Sequence, residues 1–413
     1  MKSRTILIIL IIIACILLSD FVVYRQILGY IETFDNITLK HLIQYSYWGI
    51  LPLFIISLLF LRKYFYGPQK PAFTGIMFVL VGLFFLIYIP KILFTILFLL
   101  QKMIIWLYYH DSDLFLKKCP FDLISRIALY GSGIAFMLIL YGITLGRFSF
   151  RIRRINLSFN NLPDAFDGLK TIHISDLHAG SLLGNHHSYM KAVSMINKEK
   201  PDVIFFTGDI VNEFSGELDG WDNVIGQLHA EYGKFSVLGN HDYGDYYPWK
   251  KAEEKQDNIR KIIEREVKMG FRVLLNESVP VFKNGQEIRI LGVENWGLPP
   301  FKQYGRLEKA MAEAENSAFK ILLSHDPTHW EAEVTGKTNI DLTLSGHTHG
   351  FQFGIRTRKF RWSPVKWIYP RWEGLHRIGD QILYINTGLG YIGFPGRIGM
   401  SPEITVINLS KSK

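Results

Sequence analysis

The sequence predicts an N-terminal α-helical membrane region of about four transmembrane helices, followed by an α/β domain. Three observations carry that prediction. Apolar residues make up 48% of the 413 and are concentrated before about Gly146. Beyond that point, short apolar runs alternate with amphipathic segments in a β-α-β order. Five of those runs end in a metal-ligand residue type, which places polar donors at the C-terminal ends of strands, the edge where open α/β sheets bind ligands.

Lys2 and Arg4 precede the apolar run Thr5 to Val23, which lacks a small-residue cleavage site and reads as an uncleaved anchor. Leu42 to Leu61 and Leu123 to Gly146 are each long enough to cross a bilayer core. Ala72 to Tyr109 is longer than one span and is interrupted by Pro90-Lys91. A single kinked helix and two spans with a tight turn both remain open there. Nine basic residues, among them Arg62, Lys63, Lys70, Arg147, Arg151, Arg153 and Arg154, fall on the side of the N-terminus if four spans are counted. Six, including Lys117, Lys118 and Arg126, fall opposite. The positive-inside rule then puts the N-terminus and the α/β domain in the cytoplasm, in a multi-pass protein of the cell membrane. Lys91 is the clear intramembrane charge, read as snorkelling to an interface, and the helices as an anchor rather than a transport pathway.

The expected organisation is 1–146 as membrane region, 147–168 as a basic strand and linker, and 169–413 as the α/β domain. The net charge of +9 raises nucleic acid as a partner, but the arginines after Gly146 suit an anionic lipid surface, so nucleic acid ranks last. Cys15 and Cys119, the two cysteines, offer neither a disulfide framework nor a cysteine zinc site.

In the second half, Arg151 to Phe159 reads as a strand, Asn185 to Lys198 as a helix, Leu218 to Ala230 as a helix and Trp249 to Met269 as a solvated helix. Val273 to Asn276, Val279 to Phe282 and Glu287 to Gly292 read as strands, with Asn284-Gly285 as a hairpin turn. Gly305 to Asn316 reads as a helix, and Gln381 to Ile385 and Glu403 to Leu409 as closing strands.

The five donor stretches are Asp176-Leu177-His178 after Lys170 to Ile174, Gly208-Asp209 after Asp202 to Phe206, and Gly239-Asn240-His241-Asp242 after Lys234 to Leu238. His325 follows Phe319 to Leu323, and Gly346-His347-Thr348-His349 follows Asp341 to Leu344. Gly208, Gly239 and Gly346 are expected to supply the backbone angles of sharp turns beside the cluster. Each motif alone is ordinary turn chemistry. Together and in order they favour a metal site. His173 reads as a structural residue, and His41, His110, His229, His329 and His376 receive no role.

This ordered set closely resembles the calcineurin-like metallophosphoesterase superfamily, and its membrane-associated bacterial branch also resembles the approach Leu162-Pro163 to Gly168-Leu169. Where that branch often has a glycine after Gly350, this chain has Phe351, a difference at the pocket rim. The resemblance implies two packed β-sheets flanked by helices and a centre of two divalent metal ions. By resemblance the first metal takes Asp176, His178 and His349, the second Asn240, His325 and His347, and Asp209 bridges them. His241 is then the catalytic histidine and Asp242 the residue that orients it. Two carboxylates against two divalent ions leave the site about two charges positive, which suits a phosphate. Mixed nitrogen and oxygen donors suit manganese, iron or zinc.

The resemblance points to UDP-2,3-diacylglucosamine pyrophosphatase relatives, hence to a phosphoester or pyrophosphate substrate, lipid-linked in one version, with membrane lipids as partners. A binding-only sensor or scaffold and a nucleotide or nucleic-acid phosphodiesterase are the alternatives. Phe351 to Trp372 interleaves aromatic and basic residues, the composition of an interfacial lip. A loop packed on its own domain is the alternative to that lip.

Overall fold

The computed structural model describes residues 2–65, 73–108, 121–314, 317–357 and 360–412. The expectations placed on Lys70, His110, Lys117, Lys118, Cys119, Arg358 and Lys359 lie outside the described residues. The chain divides into two compact units, 1–64 with 79–143 and 65–78 with 144–413.

The first unit is built from α1 (Lys2–Ile31) and from nearly all of α2 (Ile37–Phe65) and α4 (Phe121–Thr144), with α3 (Phe73–Tyr108) from residue 79 onward. Each contains a stretch long and apolar enough to cross a membrane. The ambiguity at Pro90 resolves as one continuous helix, because Pro90 sits inside α3 without breaking it. Proline is tolerated in membrane helices where neighbouring groups satisfy the freed carbonyl.

Lys91 is not a lone snorkelling charge. Asp20, which lies within the first apolar stretch, accepts from its ammonium at 2.7 Å. Tyr88 donates to the other Asp20 oxygen at 3.1 Å, and the Tyr47 hydroxyl donates to the Asp20 carbonyl at 2.8 Å. The Lys91 ammonium also lies 4.2 Å from the centre of the Tyr47 ring. Three helices thus meet at one buried ion pair, which is how an apolar environment accommodates charge.

The second unit begins with β1 (Arg151–Phe159) and β2 (Lys170–Ile174), then α5 (His186–Lys198), β3 (Val203–Phe206), α6 (Asp222–Ile225), β4 (Lys234–Ser236), α7 (Ala252–Lys268) and β5 (Phe271–Val273). It continues with β6 (Glu277–Lys283), β7 (Gln286–Gly292), α8 (Leu307–Ala312), β8 (Lys320–Leu323) and β9 (Leu342–Ser345). A two-stranded ribbon, β10 (Ile355–Arg356) with β11 (Arg361–Trp362), precedes β12 (Gly374–Ile378), β13 (Gln381–Ile385) and β14 (Glu403–Lys411).

Two six-stranded sheets result, in the orders β1-β14-β2-β3-β4-β5 and β12-β13-β9-β8-β7-β6. Strands β2 to β5 run parallel, as do β7, β8, β9 and β13. Side-chain alternation builds three apolar layers. Val203 and Phe205 of β3 meet Ile321 and Leu323 of β8 between the sheets. Ile204 and Phe206 face the other way, onto Ala192, Val193 and Ile196 of α5. Leu322 packs outward with Leu307 and Ala310 of α8.

Two helices are shorter than expected. Leu218 to Ala230 contains only the four-residue α6, because Gly220, at φ +82, turns the chain just before it and Gly226 follows it. Gly305 to Asn316 contains only α8. The Asn284-Gly285 hairpin forms as expected, both residues lying at positive φ between β6 and β7.

The 351–372 segment packs partly on its own unit. Val365 and Trp372 are buried with Met400, whereas Trp367 and Ile368 are 72% and 68% exposed.

Candidate metal centre

Because β2, β3 and β4 are parallel, their C-terminal ends lie along one edge, and β8 and β9 present theirs in the same way from the second sheet. The turns leaving these strands are tight. Asp176, His178, Asp209, His347 and His349 all adopt positive φ, between 48° and 71°. Left-handed backbone costs about 1–3 kcal/mol at a non-glycine residue and persists only where surroundings enforce it. Here Asp176 N donates to Gly208 O at 2.9 Å, His178 N to Asp209 O at 3.1 Å, and Gly346 N to His325 O at 2.9 Å.

The three glycines do not share one role. Gly208 meets the expected need for an unusual angle, at φ +91. Gly239 and Gly346 are needed for close approach: a Cβ on Gly239 would lie 2.2 Å from Asp209 Oδ1, and one on Gly346 would lie 1.9 Å from Ser175 Oγ. Phe351, in place of a glycine, sits at φ +56 with its ring exposed.

Two groups of candidate metal-binding residues form, Asp176 with His178 and His349, and Asp209 with His325 and His347. In the first, His178 Nε2 and His349 Nε2 face each other at 3.0 Å, and Asp176 Oδ1 is 3.4 Å from His349 Nε2. Two opposed imidazole nitrogens share at most one proton, so an ion satisfies this donor set better than a hydrogen bond does. In the second, Asp209 Oδ2 is 3.1 Å from His325 Nε2, and His347 Nδ1 is 3.2 Å from His325 Nε2. Asn240 Oδ1 joins this group, 2.9 Å from His347 Nδ1. The same Asp209 oxygen is 3.6 Å from His178 Nε2, so this one carboxylate reaches both groups.

Burial sets the protonation of the cluster. It pushes His178 down to about 3 and lowers His347 and His349, which keeps these rings neutral as metal ligands must be. Burial also acts against charge on His325, yet Asp209 beside it holds that imidazole up at about 10. Burial raises Asp176 to about 7.

His241 Nδ1 donates to the Asn212 carbonyl at 2.8 Å, which leaves Nε2 as the ring atom with no backbone partner. This corrects the expected pairing with Asp242. The Asp242 carboxylate is buried beneath the loop, where it accepts from the backbone N–H of Asp209, Ile210, Val211 and Gly239 at 2.8–3.2 Å. It therefore shapes the turn that carries Asp209, and does not touch the His241 ring nitrogens.

Residues 169–351 match the family described as "Calcineurin-like phosphoesterase", and residues 3–147 match one described as "Probable Calcineurin-like phosphoesterase, transmembrane domain". The chain carries a calcineurin-like metallophosphoesterase domain. It is 27% identical over 286 residues to a "Transmembrane protein with metallophosphoesterase domain" of Danio rerio, across 67% of this chain and 61% of that protein. A bovine protein of the same name is 27% identical, across 62% of this chain and 56% of its own length. The chain thus spans about three-fifths of these transmembrane relatives. An uncharacterized metallophosphoesterase of Bacillus subtilis is 29% identical, across 61% of this chain and 82% of that protein. The four apolar helices and these relatives make this a membrane protein with a metallophosphoesterase domain.

Four residues at the metallophosphoesterase site had no role in the sequence reading. Tyr246 accepts from Asn240 Nδ2 at 2.7 Å, and its ring lies 4.7 Å from that of His241. The carboxylate of Asp326 is 3.6 Å from His347 Nε2. Arg397, buried behind His349, donates to the carbonyls of Thr387 and Gly390 at 2.6–2.8 Å. Asn212 acts through its carbonyl. Only Asp326, adjacent to His325 in Ser-His-Asp-Pro, had a neighbouring signal. His173, by contrast, bonds Thr207 Oγ1 at 2.9 Å and belongs to neither metal-binding group.

Proposed function

We propose that this protein is a membrane-anchored phosphohydrolase that uses two divalent ions, manganese, iron or zinc, to cleave a phosphoester or pyrophosphate bond in a lipid-linked substrate. The observation that carries the reading is Asp209, whose Oδ2 lies within 3.6 Å of a histidine of each group. In this reading Asp176, His178 and His349 hold the first ion, Asn240, His325 and His347 the second, and Asp209 both. Bound there, the ions supply an activated water and a clamp for the phosphoryl oxygens.

The remaining work falls to the chain itself. His241, its Nδ1–H fixed on Asn212, offers Nε2 to a phosphoryl or leaving-group oxygen. Asp242 positions the Asp209 turn through four backbone N–H groups. The exposed Trp367 and Ile368 directly precede Tyr369, whose hydroxyl reaches His347, so apolar surface adjoins the site where a lipid tail would lie. The excess of basic residues on the N-terminal side supports a cytoplasmic catalytic domain.

Asp209→Asn tests the reading. Replacing the shared carboxylate by an amide should lower metal content from two ions to at most one per chain, and turnover of an aryl phosphodiester by about 100–1,000-fold, the scale on which a single electrostatic group acts in catalysis. Retention of two ions and full turnover would refute the two-metal assignment.

A further inference from the structure

The four imidazoles of the two metal-binding groups are not held alike. His325 presents Nε2 to the cluster because its Nδ1 donates to the Thr207 carbonyl at 2.7 Å. His347 is turned the other way. Its Nδ1 faces Asn240 Oδ1 at 2.9 Å and His325 Nε2 at 3.2 Å, so Nδ1 is the atom available to an ion. A neutral imidazole that offers its Nδ1 lone pair carries its proton on Nε2. That Nε2–H points out of the cluster and needs an acceptor.

The nearest group is the Tyr369 hydroxyl, 2.8 Å away, with the Asp326 carboxylate farther off at 3.6 Å. It is Asp326 Oδ2 that lies at 3.6 Å, beyond hydrogen-bond distance, while Oδ1 is turned to the Thr328 N–H and hydroxyl, at 2.8 and 2.6 Å. A phenol oxygen can accept as well as donate, so the Tyr369 hydroxyl can take that N–H. Tyr369 is itself fixed, its N–H donating to the Val365 carbonyl at 2.8 Å and Val365 packing with Trp372 and Met400. The Phe301 ring meets the His347 ring edge-on at 5.0 Å and closes another side.

We propose that Tyr369 is a positioning residue for the second metal: it accepts the Nε2–H of His347 and thereby holds that ring in the tautomer and orientation in which Nδ1 is a ligand. The inference rests on the two-metal reading of the site. It gives the 351–372 segment a task at the metal centre beyond any contact with lipid. Groups that orient a metal-bound histidine in this way are worth about 10–100-fold in metal affinity.

The test uses the full chain in detergent, stripped with a chelator and titrated with zinc against a chromogenic competitor, with bound metal counted by elemental analysis. Tyr369→Phe, which removes only the hydroxyl, should leave the first ion's affinity unchanged and weaken the second about 10–100-fold. The metal-free melting temperature should be unaltered. Tyr369→Gln, which restores an acceptor oxygen, should recover part of the loss. Two ions bound by Tyr369→Phe with wild-type affinity, or equal weakening of both, would overturn the proposal while leaving the two-metal reading intact. Fewer than two ions bound by the wild-type chain would instead remove that reading, and this inference with it.

Discussion

Glu403 offers a quantitative test of how the 351–372 segment is secured. It lies at the start of β14, fully buried, and its Oε2 accepts from Arg153 Nε at 2.9 Å and Arg356 Nη1 at 3.1 Å. Tyr384 and Thr405 donate to Oε1 at 2.6 and 2.9 Å. Because Arg356 belongs to β10, this carboxylate ties the ribbon to the first sheet. Burial alone would raise its pKa, but the two arginines and the hydroxyls hold it at about 2, against 4.5 in a free chain. That difference corresponds to roughly 3 kcal/mol of stability at neutral pH. A folded-state value below the unfolded one means the contribution is complete above about pH 4.5 and disappears as pH falls toward 2. Glu403→Gln should therefore lower the melting temperature of the catalytic unit by about 6–12 °C at pH 7. The gap between variant and wild type should persist at pH 5 and narrow at pH 3. Acid effects common to both proteins cancel in the difference, so thermal melts of the pair isolate Glu403. A gap that is absent at pH 7, or as wide at pH 3 as at pH 7, would refute the reasoning.

Three further outcomes are expected. Lys91→Leu should strip the partner from buried Asp20 and destabilise the helical unit by about 3–5 kcal/mol, whereas Asp20→Ala with Lys91→Leu should recover most of it. Equal protease sensitivity of the single and double variants in detergent would count against a buried pair. Trp367→Ser with Ile368→Ser should reduce kcat/KM for a long-chain phosphodiester about 10–100-fold, the worth of one or two buried apolar side chains, and spare a short soluble diester. Equal losses on both substrates, with a lowered melting temperature, would show that these side chains are core. An Asp380→Cys probe, in a Cys15→Ser and Cys119→Ser background, should resist an impermeant maleimide on intact cells and label after lysis; ready labelling from outside would reverse the proposed orientation.

The fold was legible wherever local periodicity coincided with burial. The strands that end in donors read directly, because each is a short apolar run closed by a polar residue, and parallel strands need no partner information to point the same way. The Asn284-Gly285 hairpin read for a similar reason, its turn chemistry being local. The 218–230 segment misled because its apolar residues fit a helical period, yet Gly220 and Gly226 bracket one short turn. Strands β10 to β12 were missed, since β10 and β11 are two residues each and β12 is largely exposed, so none carries an alternating apolar pattern.

The donor types at the centre could be read from the chain because each must be a carboxylate, amide or imidazole at a strand end. What holds those donors could not, because the partners are backbone groups or residues far away in sequence. The Thr207 carbonyl that orients His325 is 118 residues upstream of it, and the Asn212 carbonyl that orients His241 has no side-chain signature at all. The same blindness explains Asp242. A carboxylate beside a histidine in sequence suggests a pair, whereas four converging backbone N–H groups are invisible until the turn is folded. Asp20 and Lys91 make the point in the membrane unit: each is a charge set in an apolar run, 71 residues from the other, and neither run names its partner. In both units the costly elements, left-handed backbone at the candidate ligands and charge in an apolar setting, are sustained by contacts between distant segments. Variants of those supporting contacts should therefore change metal affinity or assembly while leaving every donor in place.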